Sequence, residues 1–162
     1  MYGTHPTIED RTMRGREHLL DAIERELTLV SRHQLATTAK GVLERSAYLM
    51  LSRIDATGPM TARELANALQ LEISTVTRQV GAMLRERLVD RIPDPDGGAA
   101  RRLRITTTGA SRLAADRERY RTGLGKVIAE WADTECADLY RLLRQLNERI
   151  ETLQGTPWPR ED

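Results

Sequence analysis

Apolar residues recur along this chain in two different periods. Over residues 12–37, Leu19, Leu20, Ile23, Leu27, Val30 and Leu35 fall at helical spacing on a single stripe. Residues 42–54 form a second helical run, denser in apolar residues and therefore expected to be more buried. It stops at the breaker Thr57-Gly58-Pro59. Thr61-Ala-Arg-Glu64 then reads as a capping box, in which the Thr hydroxyl serves the amide three residues on and the Glu reaches back. It opens a short helix over residues 62–69. A further helix is expected over residues 73–87, with Ile73, Val76, Val80, Met83 and Leu84 on its apolar face. Ser74, Thr75, Arg78 and Arg85 lie on the opposite face.

The period then changes to that of strands. Residues 88–92 form a short strand and residues 93–98 are a turn by composition. In the second strand, residues 101–105, Leu103 and Ile105 share one face while Arg102 and Arg104 share the other. Thr106 or Thr107 can cap a helix running to about Trp131, whose stripe holds Leu113, Tyr120, Leu124, Val127, Ile128 and Trp131. A last helix, residues 134–153, carries Leu139, Leu142, Leu143, Leu146, Ile150 and Leu153.

Two short helices joined by a tight turn and followed by a hairpin predict a winged helix-turn-helix. The fold class is mainly α with a small β-hairpin. Its expected organisation is a disordered N-terminus (1–11), an N-terminal dimerisation helix (12–40), the winged helix-turn-helix domain (41–109), C-terminal dimerisation helices (110–153) and a flexible tail (154–162). Dimerisation is expected because the stripe carrying Tyr120, Trp131, Tyr140 and the late leucines must be buried, and one small domain offers too little cover.

Composition agrees with a helical core. Of 162 residues, 40% are hydrophobic but only 4% aromatic, with no Phe, so the core must use Leu, Ile, Val, Ala and Met. The net charge of +1 attracts no polyanion globally, but residues 78–104 hold seven Arg against Glu86, Asp90, Asp94 and Asp96, which leaves the rest of the chain negative. The single Cys136 excludes an internal disulfide. The absence of a long apolar run or a signal-peptide pattern leads us to expect a cytoplasmic protein without a membrane span.

The second helix of such a pair can enter the major groove of DNA. Thr61, Ser74, Thr75, Thr77, Arg78 and Gln79 are therefore candidate DNA contacts, with Arg101 and Arg102 on the hairpin reaching phosphates or the minor groove. An ordinary solvated surface fits the same residue types. No nucleophile motif, phosphate-cradling loop or paired carboxylate emerges, so neither an enzyme nor a cofactor is expected.

The runs Gly58-Pro-Met-Thr-Ala-Arg-Glu-Leu-Ala66, Ser74-Thr-Val-Thr-Arg-Gln-Val80, Leu88-Val-Asp-Arg91, Pro93-Asp-Pro-Asp96 and Ile105-Thr-Thr-Thr-Gly109 occur in an order and at a spacing that resemble the MarR family of bacterial regulators. The resemblance covers about residues 12–153. It implies a homodimer with interleaved terminal helices, a double-stranded, roughly palindromic DNA operator, and release by a small ligand, an aromatic one in some members, or by oxidation. Three positions depart from the family pattern. Gly97 and Ala99 stand where an acidic residue and an Arg are usual at the wing, so Arg101 or Arg102 must substitute. Glu72 replaces the usual Ser-like cap, and Arg87 replaces a helix-ending Gly.

Other candidates carry two readings each. Cys136 is either a redox sensor or a packing residue, and its neighbours Glu135 and Asp138 oppose thiolate formation. His18, Asp21 and Glu24 share a helix face but lack a tight ligand pair, so no metal site is assigned. His33 and Tyr48 are candidates for an effector pocket or are partly buried structural residues. The alternative functions are a winged-helix protein-interaction module with weakened DNA binding, motivated by the missing wing Arg, or a redox-responsive regulator using Cys136.

Overall fold

The computed structural model describes residues 8–32, 43–95 and 97–160, the side chains of 8–14 excepted. It divides into two units, Met1–Leu35 and Ala36–Asp162. The first contributes α1 (Ile8–Arg32). Its Leu19, Leu20, Ile23, Leu27 and Val30 are all exposed. Residues 8–11, expected to be disordered, belong to this helix, while the expected helix end near Thr37 lies outside the described residues.

The second unit contains α2 (Arg45–Thr57), β1 (Met60–Thr61), α3 (Ala62–Leu69), α4 (Ile73–Arg85), β2 (Val89–Ile92), β3 (Arg102–Ile105), α5 (Thr107–Val127) and α6 (Asp133–Gln154). Met50, Leu51 and Ile54 of α2, Leu65 of α3, Val76, Val80 and Met83 of α4 and Leu113 of α5 meet Leu88, Val89 and Leu103 in one buried cluster. Burying each such side chain stabilises the fold by about 1.5–3 kcal/mol.

The hairpin expected from sequence gains a third strand. β1 pairs antiparallel with β3 through Met60 opposite Leu103, giving the order β1-β3-β2. Two residues beside a Gly-Pro carry too little alternation to announce a strand, and β3 recruits them through its backbone. β2 pairs with β3 through Val89 opposite Ile105 and Arg91 opposite Leu103. Leu103 is buried and Arg104 exposed, as the alternation requires.

Both helices of the helix-turn-helix end on a residue in the left-handed conformation that is not glycine, Gln70 (φ 52°) and Arg87 (φ 58°). After α3, Leu71 N donates to Ala66 O (3.0 Å) and Gln70 N to Asn67 O (3.3 Å). After α4, Leu88 N donates to Met83 O (2.9 Å) and Arg87 N to Leu84 O (3.1 Å). These are Schellman pairs, and the apolar contact that accompanies them is here the buried Met83 and Leu88. The α4 helix therefore ends at Arg85, two residues earlier than its apolar pattern suggests.

The start of α5 is fixed against that terminus. Thr106 Oγ1 accepts from Gly109 N (3.0 Å) and donates to Arg87 O (2.6 Å), while Thr106 N donates to Leu88 O (3.0 Å). A Cβ on Gly109 would lie 2.1 Å from Leu88 O, so only glycine permits this approach. Asp116, one turn beyond Leu113 and also buried, accepts from Leu43 N (2.7 Å) ahead of α2 and pairs with Arg119. α5 closes at Val127 rather than near Trp131, because Trp131 N turns back to Ile128 O (3.0 Å).

Residues 155–160, expected to fray, are held instead. Gly155 takes φ 67° to end α6, and Arg160 Nη1 and Trp158 N both donate to Glu151 Oε2 (2.7 and 3.0 Å). Arg160 holds the Glu151 carboxyl down at about 2.

Gly109→Ala is expected to cost about 3 kcal/mol, because the clash is with backbone that cannot rotate away. Urea unfolding followed by circular dichroism measures this, and a loss below about 0.5 kcal/mol would show that the approach relaxes cheaply. Arg87→Gly should act in the other direction. Relief of left-handed strain, about 1–2 kcal/mol, outweighs the extra chain entropy of glycine, about 0.5–1 kcal/mol. The same titration should show a small gain, and a loss would mean that Arg87 is not strained.

Candidate nucleic-acid interface

The exposed surface of α4 follows from its buried one. With Val76, Val80 and Met83 in the core, Ser74, Thr77, Arg78 and Arg85 are left on the opposite, exposed side. Thr75 and Gln79 fall between and are half-buried. Gln79 borders a cavity of about 230 Å³ that also involves Ala47, Met83 and Arg112. The candidate contacts on this helix therefore divide into an outward set (Ser74, Thr77, Arg78) and a flanking set (Thr75, Gln79). Thr77 Oγ1 donates to Ile73 O (2.8 Å), so this hydroxyl meets an outside group as an acceptor.

The N-terminus of α4 carries no side-chain cap: Glu72 is extended and makes no capping hydrogen bond. Its carboxylate suits the positive end of the helix without satisfying the amides there. At α3 the capping box expected from sequence is complete. Glu64 N donates to Thr61 Oγ1 (3.1 Å) and Thr61 N to Glu64 Oε2 (2.7 Å). Thr61 is thus engaged in its own helix, with its hydroxyl proton still available.

The hairpin arginines take three different parts. Arg101 is exposed and forms no ion pair among the described residues. Arg102 is turned inward. Its Nε donates to Asp94 Oδ1 (2.9 Å), and its Nη1 donates to Glu64 Oε2 (3.2 Å) and Pro59 O (3.1 Å). One guanidinium thereby joins the base of the wing, the cap of α3 and the loop before β1. Arg104 grips Asp90 across the sheet (2.7 Å), and that hydrogen bond holds the Asp90 carboxyl below its ordinary value.

Tyr48 packs its ring on Tyr120, with centroids 5.1 Å apart and planes at 49°, joining α2 to α5. His33, its expected companion in an effector pocket, lies outside the described residues. On α1, His18, Asp21 and Glu24 are exposed, and no group of three metal-ligating side chains occurs among the described residues. Cys136 is half-buried in the first turn of α6. No helix among the described residues is long and apolar enough to cross a membrane. Two side-chain placements also escaped the sequence pattern. Asp116 has the composition of a solvated helix position, and the inward turn of Arg102 depends on partners 8 and 38 residues away.

A short helix pair whose second member bares a polar face, braced by a three-stranded wing sheet, defines a winged helix-turn-helix DNA-binding protein. Residues 43–97 match the MarR family profile. The Bacillus subtilis HTH-type transcriptional regulator YxaD is 33% identical over 133 residues, which cover 80% of this chain and 93% of that protein. The chain belongs to the MarR family of transcriptional regulators. A MarR family protein from Bacillus stearothermophilus superposes with a TM-score of 0.67 at 26% identity, over 89% of this chain and 99% of that one. A mutant E. coli MarR complexed with operator DNA shares the fold, with a TM-score of 0.53 at 20% identity over 64% of this chain and 75% of that one.

Arg102→Ala should lower stability by about 1–2 kcal/mol, since it removes the hydrogen bonds that join Asp94, Glu64 and the Pro59 carbonyl. Arg101→Ala should stay within about 0.5 kcal/mol. Paired urea titrations decide the matter, and equal effects would remove the distinction between the two arginines.

Proposed function

We propose that the protein is a ligand-responsive repressor that binds a palindromic operator as a homodimer in the cytoplasm. The outward face of α4 enters the major groove. The observation that carries this reading is the exposure of Ser74, Thr77 and Arg78 on one side of a helix whose other side is locked into the core. Arg78 is the residue best suited to grip a guanine edge. Ser74 and Thr77 serve bases or phosphates, and Thr61, Thr75 and Gln79 line the margin. At the wing, Arg101 takes the phosphate role, while Arg102 holds the wing in place.

Dimerisation is supported by apolar side chains that lack cover. Tyr140, Leu142, Leu143, Leu146, Ile150 and Leu153 of α6 are exposed, as are Val127 and Trp131 beside it. A second copy of the chain covers them, and its two-fold symmetry sets half-sites about 34 Å apart. The E. coli relative's operator complex supports DNA as the partner. Release by a small aromatic ligand follows from the family resemblance, with Tyr48 beside Tyr120 the described part of the crevice that would receive it.

Arg78→Ala should weaken operator binding by about 1–3 kcal/mol, a factor of roughly 5–150, without dissolving the dimer. Arg101→Ala should lower the slope of log affinity against log salt by about 1, equally on all sequences. Fluorescence anisotropy with DNA from upstream of the protein's own gene measures both. Unchanged affinity in Arg78→Ala would remove α4 as the reading helix. Salt-independent binding would favour a protein-interaction module instead.

A further inference from the structure

We infer that residues 155–160 form a strap that fastens the end of α6 to α2 of the DNA-reading unit, with Arg53 and Trp158 as its latch. The left-handed turn at Gly155 reverses the chain after α6, and Thr156 N closes on Glu151 O (3.1 Å). Glu151 then holds the returning segment twice, through Trp158 N and through Arg160. This places the Trp158 ring under the Arg53 guanidinium, 5.3 Å from its carbon, while Arg53 Nη1 donates to Pro157 O (2.8 Å). A cation over an indole face and a charge-assisted hydrogen bond act on the same side chain.

The position of Arg53 gives the latch its meaning. It lies on α2 beside Ser52 and Ile54, which are buried in the reading unit. α6, in contrast, buries no residue of its own. The strap is therefore a point at which a helix with little packing grips the unit that carries α4. The latch is also poised to open. Arg53 Nε is buried without a hydrogen-bond partner among the described residues, a cost that offsets part of what the stacking and the carbonyl contribute. Release frees that donor to water. A closed strap preorganises the reading head for DNA, and an open one leaves its mobility to be lost on binding.

The DNA arm of the test rests on the function proposed above, while the latch itself can be read without DNA. In a Trp131→Phe background, Trp158 is the sole tryptophan. Its emission should be that of a partly shielded indole, and Arg53→Gln should shift it toward the emission of free tryptophan. Operator affinity should fall about tenfold in Arg53→Gln, in Trp158→Ala and in a chain stopped after Gln154. It should fall no further when Arg53→Gln and Trp158→Ala are combined. Trp158→Ala lies outside the core, so retained helicity and melting temperature in that variant separate unlatching from misfolding. Emission that ignores Arg53→Gln overturns the latch. Emission that shifts while all variants bind DNA as tightly as the parent overturns the coupling. A parent protein that binds no DNA sinks the function proposed above, and the emission result still decides the latch.

Discussion

The Leu88 carbonyl is the point on which the reading unit turns. It accepts from Thr106 N (3.0 Å) and lies where any side chain on Gly109 would have to stand. On one side of it α4 has just ended in a Schellman turn, and on the other β3 delivers the chain into α5. The end of α4 and the junction of β3 with α5, distant in sequence, thus meet at one backbone oxygen, and their closeness is set by the absence of a Cβ. That contact fixes the end of α4 against the start of α5. The exposed face of α4 is therefore set by packing behind it, and its polar residues need only be present.

The arginines of the reading unit divide into those that brace the fold and those left exposed. Arg102 joins Asp94, Glu64 and the Pro59 carbonyl, and Arg104 is matched by Asp90. Both contribute to the positive count between Arg78 and Arg104, yet each has its charge answered inside the molecule. Arg78 and Arg101 are exposed and without an ion pair among the described residues. A run of positive charge in a sequence overstates the field a polyanion meets, because structure spends part of it on acidic neighbours.

Much of the fold was legible because it rests on local rules. The capping box at Thr61, the period of α4 and the alternation of β3 each involve residues within a turn or two of one another. The family resemblance marked Arg87 as standing in place of a helix-ending glycine, and the chain turns left-handed there with arginine in that place. Strand β1 was not legible, because its two residues acquire their conformation from β3 across the sheet. Asp116 was missed for a related reason. Its composition reads as surface, and its burial depends on the Leu43 amide 73 residues earlier. The segment after α6 looked like a frayed end, although Gly155, Trp158 and Arg160 were the visible components of a closed turn.

These two kinds of residue bear on what the missing wing pair means. Gly97 and Ala99 take from the wing tip the groups that usually meet DNA, and the loop is held instead by Arg102, which stands where β3 begins and grips Asp94. A wing whose loop arginines are reduced to the exposed Arg101 offers DNA few phosphate contacts. The phosphate term is the sequence-independent part of binding and the part most sensitive to salt. With that term reduced, the proposed function requires a larger share of the affinity to come from base edges met by α4. In the proposed reading, the unusual wing therefore concentrates discrimination in Ser74, Thr77 and Arg78 and leaves less of the non-specific attraction that would compete with it.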